Sequence, residues 1–110
     1  MAEKHKSESG IVNDIKKYLK SLDKCFFWKE HGGMYGVAGI PDIICCYKGL
    51  FLAFEVKKPN GKVTKLQEKT IKEIQEAGGQ AYVVRNVDEV KKIIQHIEEV
   101  KECESLMTMV

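Results

Sequence analysis

No stretch of about 18 apolar residues occurs in the chain, so no membrane-spanning helix is expected. Residues 1–9 are polar and lack the apolar core of a secretory leader, which points to a cytoplasmic setting. The four cysteines (Cys25, Cys45, Cys46 and Cys103) contain no C-x-x-C pair. Adjacent residues of a strand face opposite ways, so Cys45 and Cys46 cannot serve one cluster, and neither a zinc site nor a disulfide framework is expected. The thiols are predicted to be reduced and mostly buried. Repeats and low-complexity tracts are lacking as well. With 44% apolar and 31% charged residues, the composition has none of the low hydrophobicity that marks disorder. A length of 110 residues predicts one domain over residues 1–110, with a core of about 8–102.

What charge there is falls unevenly. The net value is only +2, but residues 48–72 hold seven lysines against Glu55 and Glu68. Residues 86–104 hold six acids against three lysines. The two regions should differ in potential, and a polyanion would choose the first; on charge alone, a solvated lysine-rich surface explains it equally well.

Turn signals at 31–39, Lys48-Gly49, Pro59-Asn60-Gly61 and Gly78-Gly79 divide the chain. Ile11, Val12, Ile15, Tyr18, Leu19 and Leu22 recur at helical spacing, predicting a helix over 9–22. Residues 25–29 read as a short aromatic strand. Residues 41–47 and 50–56 are apolar runs flanking Lys48-Gly49, as in a hairpin whose strands are buried on both faces. Thr64, with Gln67 three residues on, has capping-box spacing; Leu66, Ile71 and Ile74 supply that helix with an apolar stripe until Gly78 stops it. Residues 80–85 form the next strand. Asn86 caps a last helix with Val90, Ile93, Ile94, Ile97 and Val100 facing inward. The predicted class is α/β, in the order α-β-β-β-α-β-α.

A short hairpin loop at Lys48-Gly49 pairs Tyr47 with Leu50 and therefore sets Asp42 opposite Glu55. Opposed residues share a face with Cβ atoms roughly 5 Å apart, where two carboxylates repel unless a cation lies between them. The period of two puts Lys57 on that face also. Oxygen ligation suits Mg²⁺ or Mn²⁺, and no histidine or cysteine stands in position for zinc. The matching reaction is phosphodiester hydrolysis, with Lys57 orienting the nucleophile or stabilising developing charge. The structural alternative has Asp42 capping a turn while Glu55 and Lys57 reach solvent.

Gly39-Ile40-Pro41-Asp42, then Glu55-Val56-Lys57, then Gln67 early in the next helix, resembles the virus-type replication-repair nuclease (VRR-NUC) domain, a branch of the PD-(D/E)XK superfamily. The resemblance runs from Glu8 to about Ile97. It implies a restriction-endonuclease-like PD-(D/E)XK core, a central mixed sheet flanked by helices. Asp42 and Glu55 would bind metal, Lys57 would assist the water, Gln67 and Glu8 would complete the site, and the Val56 carbonyl would be a further ligand. Capping alone would also explain Gln67, and interaction with a helix N-terminus would explain Glu8.

The resemblance further implies a protein of bacterial or phage type that acts on DNA, branched DNA such as Holliday junctions above all, in replication, repair or recombination, and that works as a homodimer. The apolar tail residues Leu106, Met107, Met109 and Val110 either pack across such an interface or fray. Lys58, Lys62 and Lys65 lie just beyond the E-x-K element, where phosphate contacts would position a strand or the lysines would serve solubility alone. In the glycine-rich segment before the acidic strand, Tyr35 would approach nucleic acid and His31 would touch a phosphate, or the segment is a flexible connection. Two alternatives are a restriction-type or single-strand nuclease and a non-catalytic DNA-binding subunit.

Overall fold

Lys48 and Gly49 both have positive φ, 49° and 86°, the backbone of a two-residue turn whose twist suits antiparallel strands. In the computed structural model, which describes residues 6–31 and 38–108, this turn joins β2 (Ile43–Tyr47) to β3 (Leu50–Val56). Tyr47 pairs with Leu50 and Ile43 with Phe54, the register the spacing predicts. β1 (Cys25–Lys29) pairs antiparallel with β2, and β4 (Gln80–Val84) lies parallel to β3, giving the sheet order β1-β2-β3-β4. Helices α1 (Glu8–Lys20), α2 (Lys65–Glu76) and α3 (Val87–Thr108) complete the α-β-β-β-α-β-α order.

Alternation along the strands sorts the core into two unequal layers. On one face Ile43, Cys45, Leu52, Phe54, Val56 and Val84 pack against Ile11, Ile15 and Leu19 of α1 and Val90, Ile94 and Ile97 of α3. Each large side chain removed from water there contributes about 1.5–3 kcal/mol. On the other face the buried apolar cluster among the described residues is small, Ile44, Ala53 and Ala81, beneath Ile71 and Ile74 of α2 and Ile40. The small alanines let α2 sit close, and this thinner face carries the site described below.

Several expectations need correction. Cys46 and Cys103 are exposed, and only Cys45 is fully buried; Cys46 lies past the footprint of α2, and Cys103 lies late in α3. Val100 is also exposed. At 1.5 Å per residue α3 runs about 33 Å, whereas the five residues of β4 span about 17 Å, so its last turns have no sheet beneath them. In α2 the inward position goes to Thr70, whose hydroxyl donates to the Leu66 carbonyl at 3.1 Å, and Leu66 is about half exposed. The strand after Pro41 begins at Ile43, leaving Asp42 just outside it. Among the described residues no helix is long and apolar enough to cross a membrane.

The segment entering β2 needs glycine at residue 39. Its φ is +84°, and a Cβ built there would come within 2.8 Å of Thr70 Oγ1 and 2.9 Å of Leu66 Cγ. Both the left-handed backbone and the approach of α2 exclude a side chain.

Candidate active site

Continuing the ladder one step beyond Ile43 and Phe54 brings Asp42 opposite Glu55, on the α2 side of the sheet. The backbone holds this arrangement. Asp42 Oδ2 accepts from the Val56 N–H at 2.8 Å, so the carboxylate of one strand is pinned to the end of the other. Lys57 N–H donates to the Val84 carbonyl at 3.0 Å, extending the β3–β4 pairing to the last residue of the E-x-K element. The Lys57 ammonium stands 3.8 Å from Glu55 Oε1, with Lys57 and Glu55 both largely buried.

Burial, then the charge of the Asp42 carboxylate and a hydrogen bond shared with it, pushes the Glu55 carboxyl up to about 8. Lys57 pulls the other way, and the charge of Glu8, at the first residue of α1, adds a smaller upward push. Near neutrality Glu55 therefore holds its proton unless a further cation compensates. Two carboxyl groups, one of them buried, therefore meet at the strand ends with one ammonium beside each, Lys57 at Glu55 and Lys29 at Asp42.

Gln67 unites the two roles that its spacing leaves open. Its Oε1 accepts from Thr64 N–H at 3.0 Å while Thr64 Oγ1 accepts from Gln67 N–H at 3.1 Å, the reciprocal bonds of a capping box. That fixes the amide plane and turns Nε2 toward Glu55 Oε1, to which it donates at 3.1 Å. The helix cap thus aims the site residue.

Of the other positions singled out, Glu8 is exposed and reaches Glu55 only through its charge, and Val56 has its side chain in the core with its N–H on Asp42. Lys58, Lys62 and Lys65 lie toward solvent, as does His31 after β1; Tyr35 lies outside the described residues. Among the described residues no three His, Cys, Asp or Glu side chains converge closely enough to hold a metal.

Three neighbours were not foreseen. Lys29 Nζ lies 3.8 Å from Asp42 Oδ1 and donates to the Glu30 carbonyl at 2.9 Å. Glu30 N–H donates to the Asp42 carbonyl at 2.7 Å, so Glu30, Asp42 and Glu55 form one row across three strands. Arg85, just after β4, donates from Nη1 to the carbonyls of Lys58 at 2.6 Å, Gly61 at 2.9 Å and Pro59 at 3.3 Å. One guanidinium thereby braces the loop that leaves Lys57. Only the pairing of β1 and the folding back of residues 58–61 reveal these contacts, and no local spacing signals either.

Arg85→Ala is expected to lower stability by about 2 kcal/mol in urea unfolding, since three carbonyls lose a charged donor in a partly exposed setting. Arg85→Lys should recover less than half, because an ammonium lacks the planar fork. A loss under about 0.5 kcal/mol in the alanine variant would show that the loop holds itself, the usual size of an inconsequential surface change.

A family model described as the VRR-NUC domain matches residues 9–88. A solved structure described as a VRR-NUC domain protein is 24% identical with a TM-score of 0.65, covering 84% of this chain and 88% of that one. Another, described as a VRR-NUC domain, is 24% identical with a TM-score of 0.69, covering 81% of this chain and 95% of that one. These likenesses show a shared fold, the small mixed sheet flanked by helices. No curated protein sequence matches the chain.

Proposed function

Because this chain belongs to the VRR-NUC domain family and so carries a nuclease-type domain, we propose that it is a divalent-metal-dependent DNA endonuclease that hydrolyses phosphodiester bonds at Asp42, Glu55 and Lys57. The observation that carries this reading is the buried Glu55 carboxyl set opposite Asp42 at the strand ends, with Gln67 and Lys57 turned onto it. Such a pair is costly to fold unless a cation offsets it.

The donor set fits Mg²⁺ or Mn²⁺. Such ions are held by one or two carboxylates and keep several waters, so Asp42 and Glu55 suffice, with the Val56 carbonyl as a further oxygen ligand and Glu8 adding negative potential. When bound, the ion supplies Lewis acidity toward a phosphate oxygen and a more acidic water. Lys57 holds an ammonium at the same edge, where it orients the attacking water and stabilises charge that develops on the phosphate. Gln67 keeps the Glu55 carboxylate from rotating away. Asp42, tied to Val56 N–H, keeps the two strand ends in register.

The finer reading is a structure-specific enzyme for Holliday junctions or other branched DNA in replication, repair or recombination. It is one domain over 1–110, cytoplasmic, of bacterial or phage type, and a homodimer whose two sites face two strands. Leu106 and Met107, exposed at the end of α3, offer apolar surface for the partner copy. The test is cleavage of four-way, flap, single-stranded and linear duplex DNA with Mg²⁺, Mn²⁺ or chelator. Preferred cutting of branched forms, abolished by chelator, is expected. Equal cutting of linear duplex would replace the junction preference with a restriction-type activity, and no metal-dependent cutting of any form would leave a DNA-binding subunit.

The lysines after the E-x-K element supply the phosphate contacts in this reading. Lys62→Glu or Lys65→Glu should weaken DNA binding and reduce the slope of log K against log salt by about one for each phosphate no longer neutralised, with metal binding retained. A slope equal to that of the wild type takes this segment out of the interface.

A further inference from the structure

The α2 side of the sheet is covered only in part. Counting away from the acidic row Glu30–Asp42–Glu55, the next row is Trp28–Ile44–Ala53 and the one after is Phe26–Cys46–Phe51. Ile44 and Ala53 are buried, but Trp28 is 46% exposed, Phe51 45% and Phe26 67%. The large apolar side chains left in water on these rows are thus all aromatic. Trp28 and Phe26 stand tilted to one another with ring centroids 6.1 Å apart. A cavity of about 310 Å³ opens among Trp28, Glu30, Ile40, Ile44 and Phe51. That is the lower end of the size range for small-ligand pockets. Glu30 Oε2 accepts from the Trp28 indole N–H at 2.9 Å, which holds the ring plane at the cavity wall.

Resting on the nuclease reading, we propose that this aromatic shelf receives a nucleobase unstacked from the DNA beside the cut phosphate. Adjacent rows lie about 7 Å apart, two residues of strand. Stacked DNA rises about 3.4 Å per nucleotide, so a strand whose phosphate rests at Asp42 and Glu55 brings a base within two steps of the indole. The shelf is continuous with the acidic row on one face and is flat, π-rich and of base size. Aromatic platforms of this kind stack bases of any sequence. A base inside intact duplex is already stacked on both sides and cannot enter without the cost of extrusion, whereas one at a fork, flap, gap or junction is available. The shelf thereby gives the site a physical means of choosing DNA with unpaired nucleotides.

Trp28 is the chain's single tryptophan, so its fluorescence reports on the shelf alone. Titrations in chelator, which separates binding from cutting, should show quenching by single-stranded and forked oligonucleotides and little by a closed-ended duplex of equal length. The ratio of forked to paired affinity should fall about ten-fold in Trp28→Ala and stay near wild type in Trp28→Phe, with circular dichroism checking the fold. Phe51→Ala, at the other wall, should lower the same ratio. An unchanged ratio in both alanine variants overturns the proposal, and so does sedimentation showing that these substitutions dissociate a dimer while leaving the ratio intact. Cleavage is scored separately with Mg²⁺: quenching and a Trp28-dependent ratio without any cutting would sink the nuclease reading alone, and cutting with an unchanged ratio would sink the shelf alone.

Discussion

Asp42→Asn is expected to slow metal-dependent DNA cleavage by about a thousand-fold, an effect near 4 kcal/mol in the barrier. Asparagine is the informative substitution because its carbonyl oxygen can still accept from Val56 N–H, the bond Asp42 makes at 2.8 Å. Alanine would orphan that donor and mix a folding loss into the measurement. Removing only the charge also relieves the repulsion felt by Glu55, so the urea midpoint should hold or rise while activity collapses. Single-turnover cleavage within ten-fold of wild type would remove Asp42 from the chemistry.

Lys57→Met should cost about a hundred- to a thousand-fold in cleavage rate, the range for losing a positioned proton-handling or charge-stabilising group. A second consequence comes through Glu55. The Lys57 charge holds the Glu55 pKa down against burial and Asp42, so its loss lets that pKa climb further and leaves the carboxyl more fully protonated near neutrality. An ion must then displace more proton, and the Mg²⁺ concentration for half-maximal activity should rise several-fold. Lys57→Arg keeps the charge but not the compact donor, and it should restore the Mg²⁺ requirement better than the rate. A methionine variant with both values unchanged would leave Lys57 as a largely buried strand-end residue with no part in the chemistry.

How much of this was legible beforehand depended on whether a feature was local. The pairing of Asp42 with Glu55 follows from the turn at Lys48-Gly49 and the period of a strand, and both are written within fourteen residues of chain. Gln67 was visible through its spacing from Thr64, although sequence alone could not show that capping and contact with Glu55 use opposite ends of one amide. Lys29, Glu30 and Arg85 were not visible. The first two depend on how β1 aligns with β2 across a long connection, and Arg85 on where a loop folds back. Cys46 and Val100 were misjudged because period says which way a side chain points, not whether a helix or a sheet extends far enough to cover it.

Gly39 brings no side chain to the acidic cluster, yet its left-handed backbone and the closeness of α2 bar any other residue there. In a saturation library scored by survival of activity, residue 39 would stand among the intolerant positions with Asp42 and Glu55. Its intolerance would mark the steric gate through which the chain reaches the chemistry, and a map of essential residues drawn from such a library would overstate the catalytic set by at least this one.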